Sequence, residues 1–239
     1  MKRTKICVVV LLLLLLYALV AGCARGLEKQ DNGNNNANND KTGQLSRSPV
    51  EKIPPRERGL ADKLVIGARE EVKKQVRYDP SYQRIDYPGG DVPQEVGVCT
   101  DVVVRAYRHA GIDLQQLVHE DMTANFDLYP QNWGLKGPDP NIDHRRVPNL
   151  VKFMQRHGDS LTIEVEKDNL SEWQWGDVVF WKYPNGLDHC GIVSDRKNAR
   201  GIPLVIHNAG MALEEDCLTR WEITGHFRCP TLPKTTKEP

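Results

Sequence analysis

The sequence predicts an α+β domain in which N-terminal helices pack on an antiparallel sheet. In the first half of the chain, apolar residues recur at helical spacing over residues 60–75 and 99–110. After residue 160 the period changes, and short apolar runs alternate with turns such as Tyr183-Pro184-Asn185-Gly186. Helices followed along the chain by strands with short connections are typical of α+β domains.

Four helices are predicted from apolar spacing and end signals. The first covers residues 60–75, and the second covers residues 99–110 and is closed by Gly111. The third covers residues 114–122. The fourth begins at Pro148, a favoured first-turn residue, and runs to residue 155.

Strands are predicted at five places in the last third of the chain: residues 161–165, 177–181, 189–194, 202–207 and 222–228. Their short connections favour antiparallel pairing. A loop rich in tyrosine is predicted ahead of the second helix, over residues 78–91.

The first 22 residues have the pattern of a secretory signal, with basic residues ahead of an apolar run over residues 6–21. The run ends in Leu-Val-Ala-Gly-Cys23, which resembles a bacterial lipobox. That resemblance implies that the signal is cut before Cys23 and that Cys23 is acylated. We therefore expect a lipid-anchored protein of the cell envelope, on the outer membrane where a cell has two. An uncleaved anchor or an ordinary secretory signal is the alternative.

The mature chain divides into three parts. Residues 23–57 show no apolar periodicity and include an Asn-rich run over residues 31–40, so they are predicted to form a disordered tether. Residues 58–230 suit one globular domain, and residues 231–239 are predicted to be a disordered tail. The whole chain has 32 basic and 32 acidic residues without a basic stripe. We expect no nucleic-acid partner and a monomer.

The candidate catalytic residues are Cys99, His189 and His207. Cys99 begins the second helix, where unpaired N–H groups and the helix dipole favour a thiolate. His189 opens one predicted strand and His207 ends the next. A thiol, an imidazole base and a polar group that orients the base form a nucleophilic triad. A buried structural cysteine with two hydrogen-bonded core histidines is the alternative.

Three segments together resemble the NlpC/p60 superfamily of papain-like cysteine peptidases: Val98-Cys99-Thr100 at a helix start, Gly176–Trp181 followed by His189–Val193, and Val205–Asn208. A fuller pattern in residues 97–103, 141–150 and 207–228 resembles a bacterial family of unknown function placed near that superfamily. The resemblance covers residues 60–229.

The resemblance implies a papain-like NlpC/p60-type fold with Cys99 as nucleophile, His189 as base and His207, or the neighbouring Asn208, as the orienting residue. It implies a cysteine-dependent amidase, peptidase or acyl transferase that acts on cell-wall peptide. Val98 stands where those enzymes usually carry an aspartate that holds a free amino end. A non-catalytic, lipid-anchored binding module that keeps the fold is the alternative.

Substrate contacts are predicted around the same cleft. Two candidates lie in the tyrosine-rich loop, one in the first turn of the second helix, and three just ahead of the fourth helix: Tyr87, Asp91, Asp101, Asp143, His144 and Arg145. An arginine beside a cleft is a natural partner for a substrate carboxylate. Packing and helix capping are the alternative roles for these residues.

The remaining cysteines leave two questions open. Strand alternation predicts that Cys190 points to the opposite face from His189. Cys217 and Cys229 could form a disulfide in an oxidising envelope compartment. No cofactor is expected. A zinc site built from Cys99, His189 and His207 is an alternative that the absence of a close ligand pair disfavours.

Overall fold

Within residues 48–229, which a computed structural model describes, four α-helices are followed by a sheet of six strands. The helices are α1 (Leu60–Lys73), α2 (Cys99–His109), α3 (Leu114–Asn125) and α4 (Val147–His157). The strands are β1 (Arg77–Tyr78), β2 (Val96–Gly97), β3 (Asp159–Ser160), β4 (Val178–Lys182), β5 (Asp188–Lys197), β6 (Pro203–Asn208), β7 (Ala212–Glu215) and β8 (Glu222–Arg228).

The six-stranded sheet runs in the order β3-β8-β4-β5-β6-β7, and every neighbouring pair is antiparallel. The predicted α+β class is therefore confirmed. The strand predicted at residues 161–165 is wrong, because the chain leaves the ladder after β3. There, the Thr162 carbonyl contacts the His226 side chain, and the Glu164 carbonyl accepts from the Trp173 side chain. Strand β7 and the short parallel pair β1–β2 were not predicted.

The helices cover one face of the sheet and form the main core with it. Leu64, Val103, Tyr107 and Leu150 are among the helical residues that pack toward sheet residues such as Ile192. Helices α1 and α2 come very close where Gly67 lies in α1. A Cβ there would sit 2.6 Å from the Cβ of His109, so a larger residue would push the helices apart.

The opposite face of the sheet is also buried. Val179, Trp181 and Val205 pack against Trp173 and Leu218, which lie in the connections that precede β4 and β8. Because both faces are covered, nearly every residue of β4 and β6 is buried, and most of these residues are apolar.

The folded domain begins earlier than residue 58. Val50 is fully buried, and Ser48 Oγ donates to Asp195 Oδ2 at 2.5 Å. Arg69 of α1 binds the same Asp195 at 2.6 Å and also reaches Ser48 Oγ at 3.1 Å. The prediction of a disordered tether is therefore wrong for residues 48–57, which include two short 3₁₀ turns.

Several predictions fall outside the described residues. They are the signal at residues 1–22, the lipidated Cys23, the tether up to residue 47 and the tail at residues 231–239. Among the residues that the structure describes, no helix has the length and apolarity needed to cross a membrane.

Candidate functional site

Cys99 is the first residue of α2, as predicted. The backbone N–H of Val98 donates to Asp101 Oδ2 at 2.6 Å, which fixes the turn that opens the helix. Cys99 is one of the first residues of the helix, whose N–H groups have no intrahelical acceptor. Its side chain is buried, with 4% of the residue exposed.

The thiol of Cys99 faces strand β5. The Cys190 side chain and backbone and the His189 imidazole are near enough to act on its protonation. Hydrogen bonding from Cys190 is the strongest influence and lowers the pKa of Cys99. Burial opposes that effect and the charge and hydrogen bond of His189 add to it, so that the pKa falls from 9.0 to about 5. Cys99 is therefore suited to be a thiolate at neutral pH.

A chain of hydrogen bonds continues behind His189. His189 Nε2 lies 2.8 Å from His207 Nδ1, and His207 Nε2 lies 2.9 Å from Glu215 Oε1. Arg220 donates two hydrogen bonds, of 2.9 and 2.8 Å, to the same carboxylate. The structure thus joins the three predicted catalytic residues and adds Glu215, which the sequence analysis missed.

Strand register explains this arrangement. Gly191 of β5 pairs with His207 of β6, and His207 pairs with Leu213 of β7. Glu215 is two residues beyond Leu213, so it is the diagonal neighbour of His207 on the same face. A Cβ at Gly191 would lie 3.0 Å from the Cβ of His207, which is why this position needs glycine. Recognising β7 would have revealed Glu215.

Burial and Arg220 set the protonation states of His207 and Glu215. Burial, assisted by the nearby His189, lowers the pKa of His207 from 6.5 to about 4. Hydrogen bonds from Arg220 lead the effects that lower the pKa of Glu215, although burial opposes them. At neutral pH His207 is neutral and Glu215 is ionised.

Aromatic rings hold the His189 imidazole in place. Trp181 and Tyr183 stack on it with centroid distances of 5.6 and 5.0 Å, and Trp221 presents its edge at 5.7 Å. Cys190 packs with the helix-side core, whereas Trp181 belongs to the core on the other face. His189 stacks on Trp181, so it lies on that other face. The prediction that Cys190 and His189 point to opposite faces of the strand is confirmed.

Tyr78 lies at the solvent side of the site. The parallel pair β1–β2 brings it beside Gly97, two residues before Cys99. Burial, followed by the nearby Cys99 charge, raises its pKa to about 12, although 43% of the residue is exposed. Tyr78 therefore borders the approach to the thiol.

Asp101 and Arg145 are close to Cys99, but each is used within the fold. Arg145 binds Asp101 through two nitrogen atoms, each 3.0 Å from a carboxylate oxygen. Its other contacts are the carbonyls of Ser81 at 3.3 Å and Asp79 at 3.4 Å. The buried pair satisfies both charges within the fold, and substrate binding by these two residues stays a prediction.

Asp143 and His144 are also buried, and their contact with substrate stays a prediction. Asp143 accepts hydrogen bonds from the Asp139 backbone and from Arg146 at 3.0 Å. Burial, followed by the charge of Arg145, lowers the pKa of His144 from 6.5 to about 3. His144 is a neutral core residue.

Asp91 and Tyr87 serve the tyrosine-rich loop. Asp91 binds Arg105 at 2.9 Å and Arg108 at 3.1 Å, and its predicted substrate role stays a prediction. Tyr87 is 40% exposed and packs edge-on against His119 with ring centroids 4.8 Å apart. Its contacts join the loop to α3.

The alternatives left open for other residues are resolved by their contacts. Asn208 donates to the carbonyls of Val76 at 3.1 Å and Gly97 at 3.4 Å, so His207 is the residue that orients His189. Cys217 and Cys229 are free thiols in cores on opposite faces of the sheet, and no disulfide joins them.

One group in the described part of the chain could hold a metal ion. Ligand atoms of His207, Glu215 and Cys217 lie within 4.8 Å of one another, a donor set compatible with Zn²⁺. Arg220 already neutralises Glu215, so a bound cation would have to displace a guanidinium. The arrangement as it stands favours a hydrogen-bond relay over a metal centre.

Two comparisons with known proteins found relatives of this chain. Residues 65–229 match a family model described as "Domain of unknown function (DUF1287)". The "Uncharacterized protein YijF" of Escherichia coli (strain K12) is 54% identical over 166 residues, which span 69% of this chain and 80% of the relative. Cys99, His189, His207 and Glu215 all fall within the residues that the family model matches. The chain belongs to the DUF1287 family.

Proposed function

We propose that this protein is a cysteine-dependent amidase or peptidase, or an acyl transferase, that acts on cell-wall peptide through an NlpC/p60-type site. The observation that carries the proposal is the 2.8 Å contact of His189 with His207 beside Cys99, a thiol whose pKa is lowered to about 5. A thiolate at a helix start, backed by an oriented imidazole, is the arrangement of a nucleophilic catalyst.

In the proposed reaction, Cys99 Sγ attacks the carbonyl carbon of an amide. N–H groups at the start of α2 stabilise the oxyanion. The His189 imidazolium gives its proton to the departing amine, which leaves a thioester on Cys99. Water, or an amine in a transferase, then attacks the thioester after giving a proton to His189, and the thiolate returns.

We also propose that the protein works on the envelope surface, held by lipid on Cys23. The lipobox resemblance supports this placement. Cys23→Ala should block processing or release the protein from membranes, measured by fractionation and by incorporation of labelled fatty acid. Membrane attachment and labelling that survive this substitution would refute the anchor.

The activity is tested by incubating purified peptidoglycan fragments with the wild type and with Cys99→Ala, followed by mass analysis of the products. The wild type should release or exchange an amine, and Cys99→Ala should leave the fragments intact. Cys229→Ala is the matched control, because it removes another buried thiol, one that contacts Met154 in the helix-side core. Identical fragments from wild type and Cys99→Ala would refute the proposal.

The second candidate is a non-catalytic binding module. The burial of Cys99, which is 4% exposed, favours it. So does a cleft of about 580 Å³, lined by residues such as Asp62, Trp173 and Trp175, that contains none of the catalytic candidates. Alkylation distinguishes the two: an enzyme should react with iodoacetamide at Cys99 below pH 7 far faster than free cysteine does. Slow labelling with retained peptidoglycan binding would favour the binding module.

A further inference from the structure

We infer that Glu215 is a positioning residue that fixes the tautomers of His207 and His189, so that His189 presents a bare nitrogen to Cys99. The inference rests on the proposed function for its catalytic meaning. Its geometric basis is independent: the 2.9 Å contact of Glu215 with His207 and the 2.8 Å contact of His207 with His189.

The hydrogens can be assigned in turn from Glu215 through His207 to His189. An ionised carboxylate only accepts hydrogen bonds, so the contact with Glu215 requires a hydrogen on His207 Nε2. A neutral His207 then has a bare Nδ1, which must accept from His189 Nε2–H. The remaining nitrogen of a neutral His189, Nδ1, is left bare and can take the thiol proton of Cys99.

Arg220 keeps Glu215 in the accepting state. Its guanidinium has only donors and binds both carboxylate oxygens, at 2.9 and 2.8 Å. The lowered pKa values of Glu215 and His207 agree with an ionised carboxylate and a neutral imidazole. His207 is 1% exposed, so bulk water has little access to replace the carboxylate.

Without this acceptor the opposite tautomer becomes available. A hydrogen on His207 Nδ1 would donate to His189 Nε2 and leave the hydrogen of a neutral His189 on Nδ1. That nitrogen could not accept the thiol proton, so the thiolate–imidazolium pair would not form by direct transfer. Glu215 thereby decides whether His189 is a base toward Cys99.

The test is ¹⁵N NMR of histidine-labelled full-length protein in a Cys99→Ala background, in which His189 has no thiol proton to accept. At pH 7 we expect hydrogens on Nε2 of both His189 and His207 when Glu215 is present. Glu215→Gln should bring hydrogen to Nδ1 of both rings, because an amide can also donate. Glu215→Asp should restore the original tautomers. Asp216→Asn, which removes a neighbouring charge without touching His207, should leave them unchanged.

A His207 that carries its hydrogen on Nδ1 while Glu215 is present would overturn the inference, even if Glu215→Gln failed to fold. So would unchanged tautomers in a folded Glu215→Gln. With Cys99 intact, Glu215→Gln should lower kcat about tenfold or more at unchanged KM, and Glu215→Asp should recover most of it. If the tautomers respond as expected but wild type cleaves nothing, the proposed function fails and the positioning role stands.

Discussion

Arg145 binds Asp101 through a pair of 3.0 Å hydrogen bonds. Asp101 lies in α2, only two residues after Cys99. The pair connects that helix to the segment ahead of α4, because Thr100 also donates to the Arg145 carbonyl at 3.0 Å. Arg145 thus holds the start of α2 in place.

Replacing Arg145 by methionine should therefore reduce stability by about 3–5 kcal/mol, because the buried Asp101 carboxylate would lose its charged partner. Urea unfolding measures the change. Arg156→Met is the matched control: its ion pair with Asp121 is more exposed, so we expect a loss of about 1 kcal/mol or less. An Arg145 variant with wild-type stability and only a raised KM would support substrate binding instead.

Cys190 should control the reactivity of Cys99. Cys190→Ala removes the side-chain donor that contributes most to the lowered Cys99 pKa, so this pKa should rise and less thiolate should be present at pH 6. The midpoint of the alkylation rate against pH should move upward, as followed by mass spectrometry of the Cys99 peptide. Cys190→Ser keeps a donor and should keep the low midpoint. Equal midpoints for alanine and serine would show that the contact is unimportant.

Gly191→Ala should disturb the contact between His189 and His207. The added Cβ would meet Val205 Cγ1 at 2.7 Å and the Ile206 carbonyl oxygen at 2.8 Å, so strands β5 and β6 must separate. We expect a loss of roughly 1–3 kcal/mol in urea unfolding and a slower alkylation of Cys99. Gly137→Ala, where no atom lies within 4 Å of the added Cβ, should change neither. A Gly191→Ala variant with unchanged stability and reactivity would contradict the packing argument.

His144 should make the protein less stable in mild acid. Its pKa is lowered in the fold, so the unfolded chain binds the proton first, and stability falls as pH decreases from about 6.5 toward 3. Between pH 7 and pH 4.5 the loss from this residue is roughly 2–3 kcal/mol. His207, whose pKa is lowered to about 4, acts in the same direction.

Urea unfolding at the two pH values checks this. His144→Leu should remove about half of the decline, since His207 still contributes. His109→Gln, which changes an exposed histidine, should keep the wild-type decline. If His144→Leu lost as much stability as wild type over this range, the decline would not come from protonation of His144.

The sequence by itself determined the α+β class, the four helices and the strands that carry the two histidines. These follow from local periodicity and from turn residues, which act within a few positions of one another. It also identified Cys99, His189 and His207 as a possible set, because a cysteine at a helix start with two histidines on later strands has the residue types of a nucleophilic triad and resembles the NlpC/p60 pattern. The helix at Cys99–His109 begins and ends almost where the pattern predicts.

Only the tertiary structure decided which polar groups bind one another. Arg145 faces Asp101 across 44 positions, and Ser48 faces Asp195 across 147, so no local pattern reports these partners. The same applies to Glu215, which is recognised only when the register of β6 against β7 is known. A buried charge must find an opposite charge or a donor within the fold. That requirement, acting over long separations, gives Asp91 and Asp101 their arginine partners within the fold.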